Sequence, residues 1–143
     1  MAGALLDTHA LYWLTAASEP LSDEAILLIS EHKAGGTLYV SPISAWELAL
    51  AAQKPAHKNP VDLGGKAPAI WFSHALAATA AKVIPIRQRI ACEAAMVVEE
   101  TGHKDPGDCY LVATARVRRL SIVTRDAVLL GLASPGYLDV IAC

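Results

Sequence analysis

The sequence predicts an α/β fold built on a mainly parallel sheet. Short β-rich runs alternate with helical patterns along the chain, which is typical of βαβ units. Hydrophobic residues make up 54% of the sequence and many are alanine, which suits helices packed closely on a sheet. Because 143 residues give one domain a proper core but are too few for two, we expect residues 1–143 to form a single domain.

Five short runs are predicted strands. The first is an apolar run that ends abruptly on Asp7, which is how a central parallel strand delivers an acidic side chain to the carboxyl edge of its sheet. Pro85 lies in the third run and indicates an edge strand, because proline cannot donate a hydrogen bond to a neighbour. The predicted strands are residues 3–7, 37–40, 82–86, 120–124 and 137–142.

Seven helices are predicted from their capping residues and glycine stops. Ser22, Ser41-Pro42 and Asp105-Pro106 are typical helix starts, and Gly35-Gly36 and Gly102 are typical helix ends. The predicted helices are residues 8–16, 22–35, 43–53, 69–81, 87–101, 105–118 and 127–130. Residues 54–66 are predicted to form a loop, because they are rich in proline, glycine and lysine.

Composition excludes several classes of protein. The net charge of −2 means that any nucleic acid must be bound by local patches rather than by a globally basic surface. Three cysteines without a CxxC spacing indicate a reducing compartment with no structural zinc or disulfide. The N-terminus lacks signal-peptide features, and the most apolar window, residues 67–81, is too short to span a bilayer. We therefore expect a cytoplasmic protein without membrane contact.

Glu47 is the acidic residue that is hardest to explain by structure alone. The rest of residues 45–52 is apolar on every side, and such a helix is buried. A buried carboxylate must be paired, protonated or bound to a metal. A salt bridge within the helix is the structural alternative, but the nearest downstream cation is Lys54, seven residues away. The pattern therefore favours a functional role for Glu47.

Asp105 and Asp108 lie near the start of the same predicted helix, but a structural role explains the presence of Asp105 better than that of Asp108. An N-cap role followed by proline accounts for Asp105 without any function. Asp108 shares a helix face with Leu111, Val112 and Ala115, so we expect it to lie on the side that faces the sheet. An inward-facing acid in a first helical turn is poorly explained as a solvated residue, although capping is an alternative.

Asp7 and Asp126 each follow a strand, and either could simply cap the helix behind it. Their significance is collective, because ligands of open α/β sheets bind outside the carboxyl ends of the strands. Helices beginning near this edge would bring Glu47 and Asp108 to the same place. Four carboxylates cannot all stay ionised there without a counter-charge. Oxygen-only ligands predict Mg²⁺, with Mn²⁺ as a substitute, and such sites hold phosphate-bearing substrates and activate water.

Four successive motifs resemble those of PIN-domain proteins, especially the VapC-like toxins of bacterial toxin–antitoxin pairs. Each motif alone is weak, whereas four in the right order are specific and span nearly the whole chain. The motifs are LLDTHALYWL at 5–14, VSPISAWELA at 40–49, HKDPGD at 103–108 with LVATA at 111–115, and IVTRD at 122–126.

The resemblance implies a metal-dependent endoribonuclease with a compact three-layer α/β/α sandwich. By motif, the metal-binding and catalytic quartet of the family corresponds to Asp7, Glu47, Asp108 and Asp126. A metal-activated water would attack the RNA phosphodiester. The family also implies a homodimer, with possible higher complexes, and inhibition by a cognate VapB-like antitoxin that inserts a C-terminal segment near the site.

Further residues near the motifs are candidates for smaller roles. Asp105 and Thr124 are candidate accessory residues, and Lys104 and Arg125 are candidate contacts to RNA phosphates, with ordinary surface charge as the alternative. His103 could assist proton transfer or simply be hydrogen-bonded. His9 has the same two interpretations.

Two positions depart from the usual pattern of the subfamily. Gly107 stands where a large apolar residue is usual, and Cys109 stands where a basic residue is frequent. Neither is a quartet acid, so these changes are expected to affect substrate binding and the start of the sixth helix more than the chemical step.

Two other functions compete with the nuclease. A non-catalytic PIN-fold regulator that binds RNA or protein would keep the same acids. A phosphatase or receiver-like phosphoacceptor also places acids at strand ends, but Asp7-Thr8-His9 lacks the second aspartate of an Asp-x-Asp motif and no lysine follows a late strand.

Overall fold

The computed structural model describes residues 3–143 and contains a five-stranded sheet in which every pairing is parallel. The strands are β1 (Ala4–Leu6), β2 (Leu38–Val40), β3 (Lys82–Val83), β4 (Ser121–Thr124) and β5 (Asp139–Ala142). Their order across the sheet is β3-β2-β1-β4-β5. The chain therefore leaves β1 toward one edge of the sheet and later returns to its other side, so the topological switch point lies between β1 and β4.

Seven α-helices connect these strands within the described part of the chain. They are α1 (Thr8–Ala16), α2 (Asp23–Gly35), α3 (Pro42–Ala52), α4 (Pro68–Thr79), α5 (Gln88–Thr101), α6 (Pro106–Arg118) and α7 (Ala127–Gly131). The predicted caps are confirmed at several helix ends. The Ser22 and Ser41 side chains accept backbone N–H groups at the starts of α2 and α3, and Gly36 and Gly102 end α2 and α5 with positive φ.

The differences from the predicted elements are small and have local causes. The fourth helix ends at Thr79 because Ala80 adopts a left-handed conformation with φ 58°. One 3₁₀ turn, Ala56–Lys58, interrupts the predicted loop. β3 stops before Pro85 and lies at the edge of the sheet, as the proline predicted.

Two hydrophobic layers cover the two faces of the sheet. Leu5 packs with residues of α5, α6 and α7, whereas its neighbour Leu6 packs with residues of α1, α2 and α4. This alternation follows from the two-residue period of a strand. The predicted three-layer α/β/α sandwich is therefore confirmed, with β1 and β4 fully buried at its centre. No helix in residues 3–143 is long and apolar enough to cross a membrane.

Candidate functional site

The predicted acids lie around the carboxyl ends of β1 and β4, at the switch point of the sheet. Asp7 follows β1 directly, and Asp126 follows β4 after one intervening residue. Glu47 lies in the second turn of α3, and Asp108 lies in the first turn of α6. α3 and α6 contact each other, which brings these two helices to the same side of the switch point.

Asp7 is the most buried of the four acids, with 4% of its surface exposed. Its Oδ1 accepts the Ala10 N–H at 2.8 Å and caps α1, while its Oδ2 accepts the hydroxyl of Thr124. Burial raises the pKa of Asp7, and these two hydrogen bonds offset part of that increase. The capping interpretation of Asp7 is therefore confirmed, whereas its catalytic role stays a prediction.

Thr124 connects Asp7 to Asp126. Its hydroxyl oxygen accepts the Asp126 N–H at 3.0 Å while its proton is donated to Asp7. Asp126 is exposed and caps α7, because its Oδ1 accepts the N–H groups of Val128 at 2.8 Å and Leu129 at 3.2 Å. The second carboxylate oxygen of Asp126 has no hydrogen-bond partner among residues 3–143, which leaves it open to a ligand.

Glu47 is half-buried and is held by the hydroxyl of Thr8 rather than by a cation. Thr8 donates to Oε1 of Glu47, and the hydroxyls of Thr8 and Ser44 are 2.9 Å apart. Among residues 3–143, Glu47 does not form the salt bridge to Lys54 that the sequence left as an alternative. Burial is the main cause that raises the pKa of Glu47; the Thr8 hydrogen bond lowers it, and the charges of Asp108 and Asp105 raise it further.

Asp108 pairs with a histidine at the start of α6. Nε2 of His103 lies 2.7 Å from Oδ2 of Asp108, so the histidine is hydrogen-bonded rather than simply solvated. Asp105 is the N-cap and accepts the Asp108 N–H at 3.3 Å, as predicted. Burial raises the pKa of Asp108, the His103 hydrogen bond lowers it, and the charges of Asp105 and Asp126 raise it again.

These carboxylates influence one another electrostatically. Asp126 raises the pKa of both Asp7 and Asp108, and Asp108 raises that of Glu47. No lysine or arginine nitrogen lies within 4.0 Å of a quartet carboxylate in the described chain; the salt bridges there involve His103, Arg116 and Arg125. Among the described residues, no lysine or arginine therefore balances the negative charge at this edge, and only histidines lie near it.

The donor chemistry fits a hard divalent cation, because the groups that converge are carboxylate and hydroxyl oxygens. The spacing of these oxygen groups, however, is wider than a metal site requires. Within residues 3–143, no three His, Cys, Asp or Glu side chains are arranged as a group that could hold a metal ion. Each carboxylate is instead held by its own hydroxyl, amide or imidazole partner.

The two candidate phosphate contacts differ in their surroundings. Lys104 is exposed beside the Asp105 cap. The guanidinium of Arg125 donates to the carbonyls of Pro20 and Cys143, at 2.7 and 2.8 Å, and lies 4.4 Å from the centre of the Trp13 ring. Lys104 can therefore contact a ligand, whereas the guanidinium of Arg125 already donates hydrogen bonds to two other segments of the chain.

Sequence reasoning missed Thr8, which donates to Glu47, and Ser44, whose hydroxyl contacts that of Thr8. A signal for Ser44 was present, because it lies three residues before Glu47 and thus on the same face of α3. A separate cleft of about 930 Å³ lies between α5, the end of α6 and residues 133–140, and none of the quartet acids lines it.

A family model for the PIN domain matches residues 4–133. The chain belongs to the PIN domain family. This match covers all four motifs, so the resemblance seen in the sequence is confirmed at the level of the family. No curated protein sequence matches the chain significantly.

Several solved VapBC structures have the same fold. VapBC2 from Rickettsia felis, bound to a promoter DNA fragment, is similar with a TM-score of 0.67 and 13% identity over 98% of each chain. DNA-bound VapBC from Salmonella typhimurium gives 0.64 and 16% over 99% of this chain and 98% of that chain. VapBC-5 from Mycobacterium tuberculosis gives 0.60 and 18% over all of both chains. At these identities, the likeness establishes the PIN fold.

Proposed function

We propose that this PIN domain is the toxin of a toxin–antitoxin pair and that it hydrolyses RNA phosphodiester bonds as a Mg²⁺-dependent endoribonuclease. The observation that carries the proposal is the set of acids at the switch point, three of which have raised pKa values and none of which has a lysine or arginine partner among residues 3–143. Such an arrangement stabilises the fold poorly, which is typical of a site shaped by function.

Asp7, Glu47, Asp108 and Asp126 would hold the metal, with Mn²⁺ as a substitute for Mg²⁺. When bound, the ion would activate a water and stabilise the charge on the phosphate. The protein supplies the orientation. Thr124 holds Asp7 and Thr8 holds Glu47, so these two carboxylates cannot rotate freely. One carboxylate oxygen each of Asp126 and Asp108 lacks a hydrogen bond to the described chain and could bind the ion.

The substrate class follows from charge and from family. A site of four acids repels an anionic chain unless a metal bridges them, which makes divalent cations essential for binding as well as for chemistry. Lys104 is the exposed cation that could contact an RNA phosphate beside the site. Arg125 contributes less, because its guanidinium is already hydrogen-bonded to the protein.

A cognate antitoxin is the proposed protein partner. VapBC-5 from Mycobacterium tuberculosis, which shares this fold, belongs to a family of toxin–antitoxin systems by its own description. This chain has a groove of about 390 Å³ between α1, α2 and α4, lined in equal number by apolar residues (Leu14, Ile26, Ile29 and Ala78) and polar residues (Thr15, Ser30, Lys33 and Thr79). Ile26 keeps 48% of its surface exposed there, which suits the apolar face of an antitoxin segment.

A homodimer is the proposed assembly. Trp46 and Leu50 lie four residues apart on α3 and are 47% and 43% exposed, so they form an apolar stripe next to Glu47. A second copy of the chain would cover this stripe through a self-complementary contact.

One observation favours a second candidate function. Because the carboxylates in residues 3–143 are not spaced as a three-ligand group, a PIN domain that binds RNA or protein without cleaving it is the competing interpretation. It predicts RNA binding without turnover.

The test is cleavage of a total-RNA sample by purified, antitoxin-free protein with Mg²⁺, with EDTA and as the Glu47→Gln variant. A matched control is Glu99→Gln, since Glu99 is exposed on α5. Cleavage that requires Mg²⁺ and Glu47 but tolerates Glu99→Gln supports the nuclease. RNA binding without cleavage, by folded protein with measurable Mg²⁺ affinity, supports the regulator instead.

A further inference from the structure

Gly107 is buried in the first turn of α6 and lies against the carboxylate of Glu47. A Cβ atom added to Gly107 would come 3.0 Å from Oε1 of Glu47, 2.5 Å from its Cδ and closer still to Oε2. The three nearest atoms thus all belong to one carboxylate. The Glu47 side chain therefore occupies the space that any side chain at position 107 would take.

The backbone does not require glycine at this position. Gly107 is helical and is absent from the described residues that have positive φ, whereas Gly36 and Gly102 need their positive φ to end helices. Glycine is less favourable than alanine within a helix, because it loses more conformational freedom on folding. At Gly107 the space of a side chain is instead filled by the carboxylate of Glu47.

Two contacts define where the Glu47 carboxylate lies. On one side, Thr8 at the start of α1 donates to Oε1. On the other side, the carboxylate lies against the first turn of α6, where the helix dipole favours negative charge and where Asp105 and Asp108 are close enough to raise the pKa of Glu47. The missing side chain of Gly107 allows α3 to bring its acid this close to the acids of α6.

We propose that Gly107 is a positioning residue, whose lack of a side chain places the Glu47 carboxylate within the acidic site. The inference rests on the proposed function, since it concerns the same metal-binding acids. Because the displaced group is the end of a flexible side chain, a methyl group at position 107 moves Glu47 and leaves the fold intact.

The test compares Gly107→Ala with Gly131→Ala. Gly131 is also a helical glycine without positive φ, and a Cβ there meets nothing within 4 Å, so it is a matched control. We expect Gly107→Ala to unfold at the same or a higher temperature than the parent and to bind Mn²⁺ about tenfold more weakly, in the range usual for losing a group that orients a ligand. The control keeps the parent Mn²⁺ affinity. Calorimetric titration of the purified protein measures both affinities.

The position of Glu47 has its own readout. The ¹³C signal of the Glu47 side-chain carboxyl, assigned by its loss in Glu47→Gln, should move in metal-free Gly107→Ala protein and stay in place in Gly131→Ala. Glu47→Asp withdraws the carboxylate by one methylene, about 1.5 Å. In the Gly107→Ala background that shortening should restore part of the Mn²⁺ affinity, although it weakens binding in the parent.

Each outcome decides the proposal separately from the nuclease. Additive effects of Gly107→Ala and Glu47→Asp, or an unmoved Glu47 signal, overturn the positioning role even if the parent cleaves RNA. Failure of Gly107→Ala to fold also overturns it, because the methyl group would then meet more than a movable side chain. A moved signal with non-additive Mn²⁺ affinities supports it, even if the parent proves unable to cleave RNA.

Discussion

The hydroxyl of Thr124 donates a hydrogen bond to Asp7, a residue 117 positions earlier in the chain. The same oxygen accepts the N–H of Asp126 at 3.0 Å. One threonine therefore joins the ends of β1 and β4 and fixes two of the four acids relative to each other. Thr124 is fully buried and Asp7 is nearly so, so bulk water cannot replace this hydroxyl as the partner of Asp7.

Thr124→Val is expected to weaken both stability and function. The substitution keeps the shape but leaves a buried carboxylate oxygen and an amide without their partner, which costs about 1–3 kcal/mol. RNA cleavage should fall together with stability, because Asp7 loses the group that orients it. Urea denaturation and the total-RNA assay measure the two effects.

Thr114→Val is the control for that experiment. Thr114 is also fully buried, but its hydroxyl donates only to the Tyr110 carbonyl one turn back in α6. Its loss should cost about 1 kcal/mol or less and leave cleavage unchanged. Equal losses of activity in the two variants would show that Thr124 acts only through stability.

The stability of the metal-free protein is expected to fall as pH rises above about 4. Burial raises the pKa values of Asp7, Glu47 and Asp108 from ordinary values of 3.8, 4.5 and 3.8. Between those ordinary values and the raised ones, the folded state holds more protons than the unfolded state, so increasing pH destabilises the fold. Mg²⁺ should reverse the loss, because it binds the ionised form.

Asp7→Asn separates this effect from other titrating groups. The amide can keep the cap of α1 but carries no charge, so in EDTA at pH 7 the variant should be about 0.5–2 kcal/mol more stable than the parent, while Mg²⁺ no longer stabilises it as much. Glu99→Gln, at an exposed position, should change neither quantity. Denaturation with urea from pH 4 to pH 8 provides the comparison. A parent whose stability rises steadily with pH over this range contradicts the expected destabilisation.

Replacing Lys104 by alanine is expected to affect RNA binding, whereas replacing Arg125 by alanine is expected to affect stability. Lys104→Ala should leave stability within about 0.5 kcal/mol, weaken RNA binding and lower the salt dependence by about 0.7 for one phosphate contact. Arg125→Ala should cost about 1–3 kcal/mol, because it removes charged hydrogen bonds to Pro20 and Cys143. Binding of a non-cleaved RNA by the Glu47→Gln protein at several salt concentrations measures the first effect. If the Arg125→Ala protein is as stable as the parent and its RNA affinity depends less steeply on salt concentration, then Arg125 contacts the RNA phosphate and does not mainly stabilise the fold.

Much of the fold was predictable because its signals are local. Caps such as Ser22 and Ser41, the glycine stops and the edge-strand Pro85 each act within a few residues, so their effects can be inferred from neighbouring sequence. The alternation of strands with helices fixed the α/β class, and the all-parallel pairing follows from helical crossovers between strands. The ends of α4 and β5 were less predictable, because single backbone conformations such as that of Ala80 set them.

The details of the site depend on contacts between distant segments, which local patterns do not specify. Asp7 and Glu47 could be predicted as site residues from the sequence, because an acidic side chain in an apolar segment is costly to bury in any fold. The choice of Thr8 as the partner of Glu47 depends on how α1 meets α3, and the fit of Glu47 against Gly107 depends on how α3 meets α6. Gly107 was visible in the sequence only as an unusual residue.

Trp46 provides the test of the proposed homodimer. Trp46→Glu places a charge in the exposed stripe of α3, and burying that charge against a second copy would be strongly unfavourable. We expect the parent to have the mass of a dimer by light scattering at micromolar concentration and the variant to have the mass of a monomer. Because Trp46 is half exposed in a single chain, the monomer should remain folded.

Leu27→Glu is the matched control, since Leu27 is 63% exposed on α2, away from the stripe. It should leave the mass of the parent unchanged. Two further outcomes discriminate between assemblies. A parent that is monomeric at all concentrations removes the dimer, and a Leu27→Glu variant that dissociates while Trp46→Glu does not moves the interface from α3 to α2. Because the stripe lies beside Glu47, a dimer formed through α3 also predicts that Trp46→Glu lowers RNA cleavage at concentrations where the parent is dimeric. On dilution, where the parent becomes monomeric, the parent and the Trp46→Glu variant should cleave RNA at the same rate.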